Sequence, residues 1–425
     1  MPSNIDLKVN GFRAINSADI HLNGITVLAG INGSGKSTLS KILYHVFELT
    51  NHLEDTVRNG FQQSLLSVIE IYQQLKNTYP QLESVHAFVG SLYAADNLEG
   101  TKRILDKAFA FLQQSQQEAK DIDKTKRLVQ IIRYNLKLSE SKDVDAQAVL
   151  KEIKRLRDEL QFNIAYRPVQ ELDKELSARF KVDSLLDQIS ISEYGVLFFG
   201  RQVDSVPILH YIKNATYIES PLEIDFSVSS YGEDAYDSDL LFTRLKAEDV
   251  KDFNKDIYHY ISKEIIKGEA YNSEDIDELF FARDDGQNFP LQQCATGIKS
   301  FAILQLLLRN GYVNDRSLII LDEPEAHLHP QWIIEYAKVI VEMNEQIGSK
   351  FFITTHSTDL VSALRYISEK EGNQKNLCFY NAKPAEKDPY KYDYENLGLN
   401  IEPIFESFNK SFELLEKYGA ETPVL

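Results

Sequence analysis

Eight residues near the amino terminus have the types and the spacing of a phosphate-binding loop. They run from Gly30 to Ser37 as Gly-Ile-Asn-Gly-Ser-Gly-Lys-Ser and match the pattern GxxxxGK[ST] in full. A glycine-rich turn between a strand and a helix lets backbone N–H groups close around phosphate oxygens. We expect Lys36 to reach the β- and γ-phosphates, Ser37 to bind Mg²⁺ and Thr38 to support the α-phosphate. The residues predicted to hold the nucleotide, ATP, are Asn32, Gly33, Ser34, Gly35, Lys36, Ser37 and Thr38.

Two adjacent carboxylates follow an apolar run in the last third of the chain. The run Ser317-Leu-Ile-Ile-Leu is typical of a buried strand, and Asp322 and Glu323 come directly after it. Such a strand delivers Asp322 to the rim of a sheet, where it would bind Mg²⁺ through water. Glu323 would then polarise the attacking water, since phosphoryl transfer depends mainly on positioning. Considered without the glycine loop, these residues could simply be a strand followed by a capped helix. The presence of the loop in the same chain favours the catalytic interpretation.

These motifs resemble those of ABC-type ATPases. Residues 322–330, Asp-Glu-Pro-Glu-Ala-His-Leu-His-Pro, resemble the Walker B and D-loop segment, and their last six are similar to the OLD-like (overcoming lysogenization defect) branch. Residues 352–357, Phe-Ile-Thr-Thr-His-Ser, resemble the switch segment of the same family. The resemblance implies that His356 senses the γ-phosphate and that Glu323, His356 and Lys36 are catalytic. It covers two stretches, 1–50 and 280–365.

The resemblance also assigns a role to residues 293–300, Gln-Cys-Ala-Thr-Gly-Ile-Lys-Ser. They stand where the family has its signature motif, in which a Ser and a Gly at a helix amino terminus contact the γ-phosphate bound by the opposite subunit. Here Gly297 is kept, Thr296 supplies the hydroxyl, and Lys299 would act in the manner of an arginine finger. Because Ala295 and Thr296 depart from the usual motif, an ordinary helix cap with a solvated lysine is the alternative.

Four further residues have candidate roles. His329 stands where transporters carry the D-loop aspartate and would help to couple the two sites, or it is a surface histidine. Arg13 matches an arginine that recurs after the first strand of SMC- and RecF-like ATPases, or it forms a simple salt bridge. The Q-loop glutamine is either Gln170 or Gln202.

The elements that must position these motifs form an α/β pattern. Residues 5–29 read as strands, and residues 36–49 show helical apolar spacing. Residues 318–321 and 351–355 are short apolar strands with a helix between them. We therefore predict the α/β class, with an ABC-type P-loop ATPase head and a large, mostly helical insertion.

The same patterns divide the chain. We predict core halves at 1–50 and 280–365, a helical insertion at 51–180, a mixed β and helical segment at 181–279 and a C-terminal extension at 366–425. Within the mixed segment, strands are expected at 195–200 and 215–219 and a helix at 247–268. A hairpin is expected around Asp284-Asp-Gly286.

Composition narrows the class of protein. The 425 residues include 46 Lys and Arg against 64 Asp and Glu, a net charge of −18 that disfavours broad binding to nucleic acid. Residues 101–160 carry 14 basic against 10 acidic residues, so a nucleic-acid partner stays open for that segment. Two cysteines, no signal peptide and no apolar run of membrane-spanning length predict a cytoplasmic protein without a membrane partner.

Together these features predict a Mg²⁺-dependent ATPase that forms a homodimer or higher homo-oligomer with composite ATP sites. Only 69 residues follow His356, too few for the TOPRIM domain of OLD-type nucleases, so we expect a separate nuclease or toxin effector. The similarity is greatest to ATPase subunits of bacterial anti-phage systems such as Septu and PARIS. The alternatives are a RecF- or SMC-like DNA-repair ATPase, a transporter nucleotide-binding subunit, and a scaffold that binds ATP without turnover.

Overall fold

The computed structural model describes residues 4–93, 98–117, 122–139, 144–219, 235–247, 250, 252–273 and 278–406. The chain divides into two compact units. The first contains Met1–Asn51 and Leu172–Leu425, and the second contains His52–Glu171. Among the helices that the structure describes, none is long and apolar enough to cross a membrane.

The described residues form strands and helices in alternating groups along the chain. The strands are β1 (Ile5–Phe12), β2 (Ile15–Leu22), β3 (Ile25–Ala29), β4 (Ile189–Glu193), β5 (Val196–Phe199), β6 (Asn214–Ile218), β7 (Gly268–Ser273), β8 (Glu278–Arg283), β9 (Asn288–Pro290), β10 (Ser317–Asp322), β11 (Lys350–Thr355), β12 (Leu377–Ala385) and β13 (Asp388–Gly398). The helices are α1 (Lys36–Asn51), α2 (Leu53–Thr78), α3 (Val85–Tyr93), α4 (Glu99–Gln117), α5 (Ile122–Asn135), α6 (Ala146–Tyr166), α7 (Val169–Phe180), α8 (Ala235–Leu245), α9 (Lys255–His259), α10 (Thr296–Arg309), α11 (Pro330–Glu342) and α12 (Thr358–Lys370).

The first unit is built on a ten-stranded sheet with the order β5-β4-β1-β2-β13-β12-β3-β11-β10-β6. From β12 to β6 the neighbouring strands are parallel, whereas β5, β4, β1 and β2 are antiparallel. Strands β3, β10 and β11 are buried at every position, as continuous apolar runs are in parallel sheets with both faces covered. The predicted α/β fold, with a glycine loop after a central strand, is confirmed.

The register of the parallel strands brings the predicted motifs to one edge of the sheet. Asp322 at the end of β10 lies beside Thr354 of β11, and Thr355 lies beside Ala29 at the end of β3. Ligands of open α/β sheets bind outside the carboxyl ends of the strands. The glycine loop, the carboxylate pair and the switch histidine therefore all leave the sheet at its ligand-binding edge.

The large sheet of the first unit includes part of the segment predicted to be a C-terminal extension. Residues 377–398 form β12 and β13, which lie between β2 and β3 in the sheet and pair with them. The segment 366–425 therefore contributes two strands to the large sheet. Residues 407–425, the end of the predicted extension, lie outside the described residues.

The segment 181–279 supplies three strands of the large sheet and one of a smaller sheet with the order β7-β8-β9. The strands expected at 195–200 and 215–219 are confirmed as β5 and β6, and the hairpin as β8 and β9. The helix expected over 247–268 is shorter. It begins after Asn254, whose side chain accepts a hydrogen bond from the Ile257 N–H (3.0 Å), and a π-helical turn ends it before Gly268 enters β7.

The second unit is helical and has its own apolar core. Tyr72 of α2 stacks on Phe88 of α3, with ring centroids 4.1 Å apart. Helix α6 begins after Asp145, whose carboxylate accepts a hydrogen bond from the Ala148 N–H (2.9 Å). The cluster draws buried side chains from α2, α3, α4, α5 and α6, so this unit buries an apolar core without any strand among its described residues.

Candidate nucleotide-binding site

The glycine loop encloses a small cleft at the carboxyl edge of the sheet. The cleft has a volume of about 360 Å³ and is lined by Ala14, Asn32, Gly33, Gly35, Lys36, Ser37, Thr38 and Glu323. Most of the residues predicted to hold the nucleotide therefore line one cleft together with the predicted catalytic carboxylate. Ser34 is instead buried, and its hydroxyl donates to the Ile31 carbonyl oxygen (2.8 Å).

Lys36 lies inside the loop at the start of α1. Its ammonium Nζ donates to the carbonyl oxygens of Gly30 (2.8 Å) and Ile31 (3.1 Å), and the residue is only 4% exposed. Burial lowers the pKa of Lys36, and the nearby carboxylates of Glu323 and Asp322 act in the opposite direction. The cation is thus held between the loop backbone and the two carboxylates that follow β10.

Close packing explains two of the three glycines in the loop, Gly30 and Gly35. A Cβ at Gly35, whose φ is +96°, would come within 2.9 Å of the Ile15 side chain, and one at Gly30 within 2.7 Å of Ala382 in β12. The Tyr394 hydroxyl in β13 donates to the Ser34 carbonyl oxygen (3.1 Å). The loop is therefore supported by strands from both ends of the chain.

Asp322 is held by hydroxyl groups on both of its carboxylate oxygens. Thr354 donates to Oδ1, and Tyr217 lies 2.9 Å from Oδ2. The Tyr217 hydroxyl is also 3.0 Å from Glu219 Oε1, which forms an ion pair with Lys41 (2.8 Å). Burial raises the pKa of Tyr217, as do Asp322 and Glu219, so this hydroxyl stays protonated and its proton lies between two carboxylates. Sequence reasoning missed Tyr217 because only the pairing of β6 with β10 brings it here.

Glu323 begins a turn with left-handed backbone. Its φ is +51° and that of His327 is +64°, conformations that cost free energy for residues other than glycine. The Glu323 N–H donates to the Thr354 carbonyl oxygen (3.0 Å), and its Oε1 lies 3.3 Å from His356 Nδ1. Both side chains are partly exposed, 33% for Glu323 and 45% for His356. The two residues predicted to act on water and γ-phosphate are therefore neighbours.

Glu325 is a third carboxylate of the same turn that sequence reasoning missed. Its side chain is 4% exposed, and its Oε1 accepts hydrogen bonds from the Thr355 hydroxyl (2.5 Å) and the His356 N–H (3.0 Å). The same oxygen is 3.6 Å from His356 Nδ1. Burial raises the pKa of Glu325, while the hydrogen bond from Thr355 and the nearby His356 lower it. The sequence feature that could have identified Glu325 was its position three residues after Asp322.

The residues at the cleft fit ATP and Mg²⁺. The loop supplies a positively charged lysine, close backbone approach at the glycines and the amino terminus of the sixteen-residue α1. Ser37 and Asp322 are the hydroxyl and carboxylate that would hold Mg²⁺, which prefers few protein ligands besides phosphate oxygens and water. No group of three or more His, Cys, Asp or Glu side chains suited to a metal occurs among the described residues.

The predicted signature residues lie at the start of α10, away from the lining of the cleft. Thr296 and Gly297 begin the helix, and the preceding Ala295 offers no side-chain cap. A Cβ at Gly297 would come within 2.3 Å of the Trp332 ring, so packing within the chain already requires glycine there. Lys299 is buried. The structure thus does not bring these residues to the loop of their own chain.

Of the remaining candidates, His329 and Arg13 make local contacts, whereas Gln170 and Gln202 do not line the cleft. His329 caps α11, because its Nδ1 accepts a hydrogen bond from the Gln331 N–H (3.4 Å). Arg13 lies between β1 and β2 and donates to the Phe180 carbonyl oxygen (3.0 Å), with its guanidinium over the Phe180 ring. Gln170 and Gln202 are exposed and are not among the residues that line the cleft.

The fold and the site together define a P-loop ATPase of the AAA class. The chain belongs to the family described as "AAA domain, putative AbiEii toxin, Type IV TA system", whose model matches residues 25–362. That range runs from β3 to α12 and includes the loop, both carboxylates and His356.

Among known proteins, a 128-residue stretch is 28% identical to the uncharacterized protein MJECL11 of Methanocaldococcus jannaschii and covers 29% of this chain and 95% of that protein. The SMC head domain from Thermotoga maritima aligns with 10% identity and a TM-score of 0.38, covering 93% of this chain and 99% of that one. The cbiO1 protein of Clostridium perfringens, part of the ABC transporter complex cbiONQ, aligns with 14% identity and a TM-score of 0.32 over 100% and 97% of the two chains.

Proposed function

We propose that this chain is a Mg²⁺-dependent ATPase that forms composite sites between two subunits and controls a partner effector, a nuclease or toxin, in bacterial anti-phage defence. The observation that carries the ATPase proposal is the placement of Glu323 on the lining of the Lys36 cleft, 3.3 Å from His356 Nδ1. A cation for phosphates, a carboxylate for water and a histidine for the γ-phosphate are the parts that phosphoryl transfer to water needs.

Each residue has a distinct task in this mechanism. Lys36 would leave the loop carbonyls and bind the β- and γ-phosphates, while Glu323 orients and polarises the attacking water. His356 would contact the γ-phosphate and report its loss on hydrolysis. Mg²⁺, when bound by Ser37 and Asp322, supplies charge neutralisation at the phosphates. The partial exposure of Glu323 and His356 leaves both accessible to water and to a second subunit.

A second subunit would complete the site with the amino terminus of α10. Thr296 and Gly297 would contact the γ-phosphate bound by the opposite chain, and Lys299 would add positive charge. Within the part of the chain that the structure describes, the cleft is lined by residues of the loop, Ala14, Thr38 and Glu323, and the second subunit would contact it from outside. ATP binding would then close the dimer, and hydrolysis would open it.

The effector proposal is supported by the family description and by the ending of the turn after β10. The family is named for a toxin of a type IV toxin–antitoxin system. The segment Glu-Ala-His-Leu-His-Pro at 325–330 resembles the OLD-like branch, in which the ATPase is combined with a TOPRIM nuclease domain. The motion of the dimer would pass to such a partner in a system similar to Septu or PARIS.

Hydrolysis is tested with purified protein and Glu323→Gln. The wild type should release phosphate from ATP in the presence of Mg²⁺, and the variant should be slower by about 10²- to 10⁴-fold, the usual contribution of a positioned acid or base. Equal rates near background in both proteins would contradict the ATPase proposal. Mass measurement by light scattering should show a dimer of the variant with ATP and Mg²⁺ and a smaller species without nucleotide.

The partner is tested by isolating ATP-bound Glu323→Gln from its native host. Recovery of a nuclease or toxin supports the defence proposal. Recovery of DNA with repair proteins, together with turnover stimulated by DNA, would favour the RecF- or SMC-like alternative. Recovery of a permease would favour a transporter subunit.

A further inference from the structure

We propose that Glu325 is the positioning residue of the switch histidine: its buried carboxylate fixes the backbone of His356 and keeps a proton on Nδ1, which leaves Nε2 for the phosphate. This inference rests on the proposed ATPase function and assigns a role to a residue outside the predicted site. Glu325 lies three residues after Asp322 and does not line the nucleotide cleft.

The first part of the argument concerns the backbone. One oxygen of Glu325 accepts from the Thr355 hydroxyl (2.5 Å) and from the His356 N–H (3.0 Å), so it binds two consecutive residues at the end of β11. Thr355 Oγ1 in turn accepts from the Ser357 N–H (2.9 Å). Ser357 then caps α12 through the Leu360 N–H (3.2 Å). One carboxylate after β10 thus holds the path from β11 into α12.

The second part concerns the imidazole ring. Nδ1 of His356 faces Glu323 Oε1 at 3.3 Å and Glu325 Oε1 at 3.6 Å. An ionised carboxylate only accepts hydrogen bonds, so the ring nitrogen that faces Glu323 Oε1 carries the proton, and the charge of Glu325, 3.6 Å away, would favour that proton. The tautomer of a histidine is set by the partner of one nitrogen, which fixes what the other nitrogen can do. Nδ1 of His356 would therefore carry the proton that faces the carboxylates, and Nε2 is the nitrogen that can contact a ligand.

The third part concerns why this residue is an acid rather than an amide. The second oxygen, Oε2, is buried and has no hydrogen-bond partner among the described residues. A buried ionised group with an unused oxygen costs free energy. Glutamine would offer the same acceptor to Thr355 and His356 without that charge. The backbone contacts therefore do not explain an acid at this position, and the imidazole 3.6 Å from Oε1 is the group that its charge would serve.

Glu325→Gln isolates the charge, because it keeps the acceptor oxygen and the side-chain length. We expect kcat for ATP to fall by about tenfold or more, as for other partners that orient a working histidine, with the KM for ATP changed less than about twofold. Glu325→Asp, which keeps the charge, should be less impaired. Glu335→Gln is the matched control, since that carboxylate also accepts from a hydroxyl (Tyr260, 2.5 Å) but lies on α11.

Nitrogen NMR of ¹⁵N-histidine-labelled protein reads the tautomer directly. The signal of His356, one of nine histidines, is assigned by its absence in His356→Asn. Wild type should show a protonated Nδ1, and Glu325→Gln should show a mixture of the two neutral tautomers. A purely structural role would lower thermal stability without changing the ring signals of the folded protein.

Two outcomes separate this inference from the proposed function. If Glu323→Gln abolishes hydrolysis but Glu325→Gln keeps the wild-type kcat and an unchanged His356 tautomer, the role of Glu325 is wrong and the ATPase proposal stands. If neither wild type nor variants hydrolyse ATP, yet Glu325→Gln shifts the tautomer, the positioning role stands and the ATPase proposal fails.

Discussion

The two halves of the candidate site are built differently. The binding half, formed by the loop Gly30–Ser37 and α1, is packed at Gly30, Ser34 and Gly35 against side chains of β2, β12 and β13. The reacting half, formed by Glu323 and His356, is partly exposed and begins in left-handed backbone. A single 3.3 Å contact joins its two side chains.

This difference separates affinity from turnover. A packed loop presents its N–H groups without rearrangement, so it pays little ordering entropy when phosphates bind. Partly exposed side chains can exchange partners when a phosphate or a second subunit arrives. We therefore expect the loop mainly to set affinity for the nucleotide, and Glu323 with His356 mainly to set turnover.

One variant in each half should distinguish affinity from turnover. Lys36→Ala removes charged hydrogen bonds to the phosphates, so ATP affinity should weaken by about 10- to 100-fold. Glu323→Gln should lose hydrolysis by about 10²- to 10⁴-fold while affinity changes less than about threefold. Titration with a fluorescent ATP analogue measures affinity, and phosphate release measures turnover. Equal loss of affinity in both variants would show that the halves do not work separately.

The far end of α1 should be the most sensitive point for stability. Arg244 of α8 forms a buried ion pair with Glu48 of α1 (2.8 Å) and donates to the Thr216 hydroxyl (2.8 Å). Arg244→Met removes the arginine partner of the buried Glu48, so the free energy of unfolding should fall by about 3–5 kcal/mol. Chemical denaturation measures the change. The double variant with Glu48→Met serves as the control and should recover part of the loss, since it also removes the buried negative charge.

A methyl group in the loop should test its packing. Gly35→Ala meets Ile15 at 2.9 Å and has a φ of +96°, so we expect the free energy of unfolding to fall by about 1–3 kcal/mol. Gly33→Ala is the matched control, because its φ is +80° but nothing lies within 4 Å of the added Cβ. It should lose only the cost of the backbone conformation, about 1 kcal/mol. Equal losses in the nucleotide-free proteins would argue against the packing explanation.

Lowering the pH should reduce the free energy of unfolding through protonation of His45, a buried residue of α1 in the binding half. Burial lowers the pKa of His45 to about 3, with smaller effects of Arg179 and Lys41, whereas an unfolded histidine takes a proton near 6.5. The unfolded chain therefore binds the extra proton, and stability is lost as the pH falls below 6.5, by up to about 1.4 kcal/mol per pH unit. His45→Gln removes this contribution. Denaturation between pH 7 and 5 should show a shallower loss in the variant, and parallel curves would contradict the assignment.

Local motifs were enough to predict the binding half. The loop, the strand before it and the helix after it are contiguous in sequence, as are β10 with its two carboxylates. The residues that support the site could not be predicted, because strand pairing between segments far apart in sequence brings Tyr217, Ala382 and Tyr394 to it. The alternation of tyrosines at 390, 392 and 394 was a usable strand signal for β13. Nothing in the sequence predicted that β13 lies inside the sheet.

The signature segment shows a different limit. Its resemblance correctly suggested a helix amino terminus at 296, where α10 begins. The need for Gly297, however, is explained inside the chain by contact with Trp332. Packing within the chain can therefore require a glycine that also fits a family motif. The contact of Gly297 with a second subunit stays a prediction.

The position of β3 in the sheet has a consequence for synthesis. This strand carries the phosphate loop, yet its two neighbours are β11 and β12, which end at residues 355 and 385, more than 320 residues later in the chain. At about 5–20 residues per second, the ribosome needs roughly 15–70 s to make the residues between β3 and the end of β12. Until β11 emerges, the apolar β3 has neither native partner strand. The nascent chain is therefore exposed to mispairing during that time, and the support of the phosphate loop is complete only after β12 has been made.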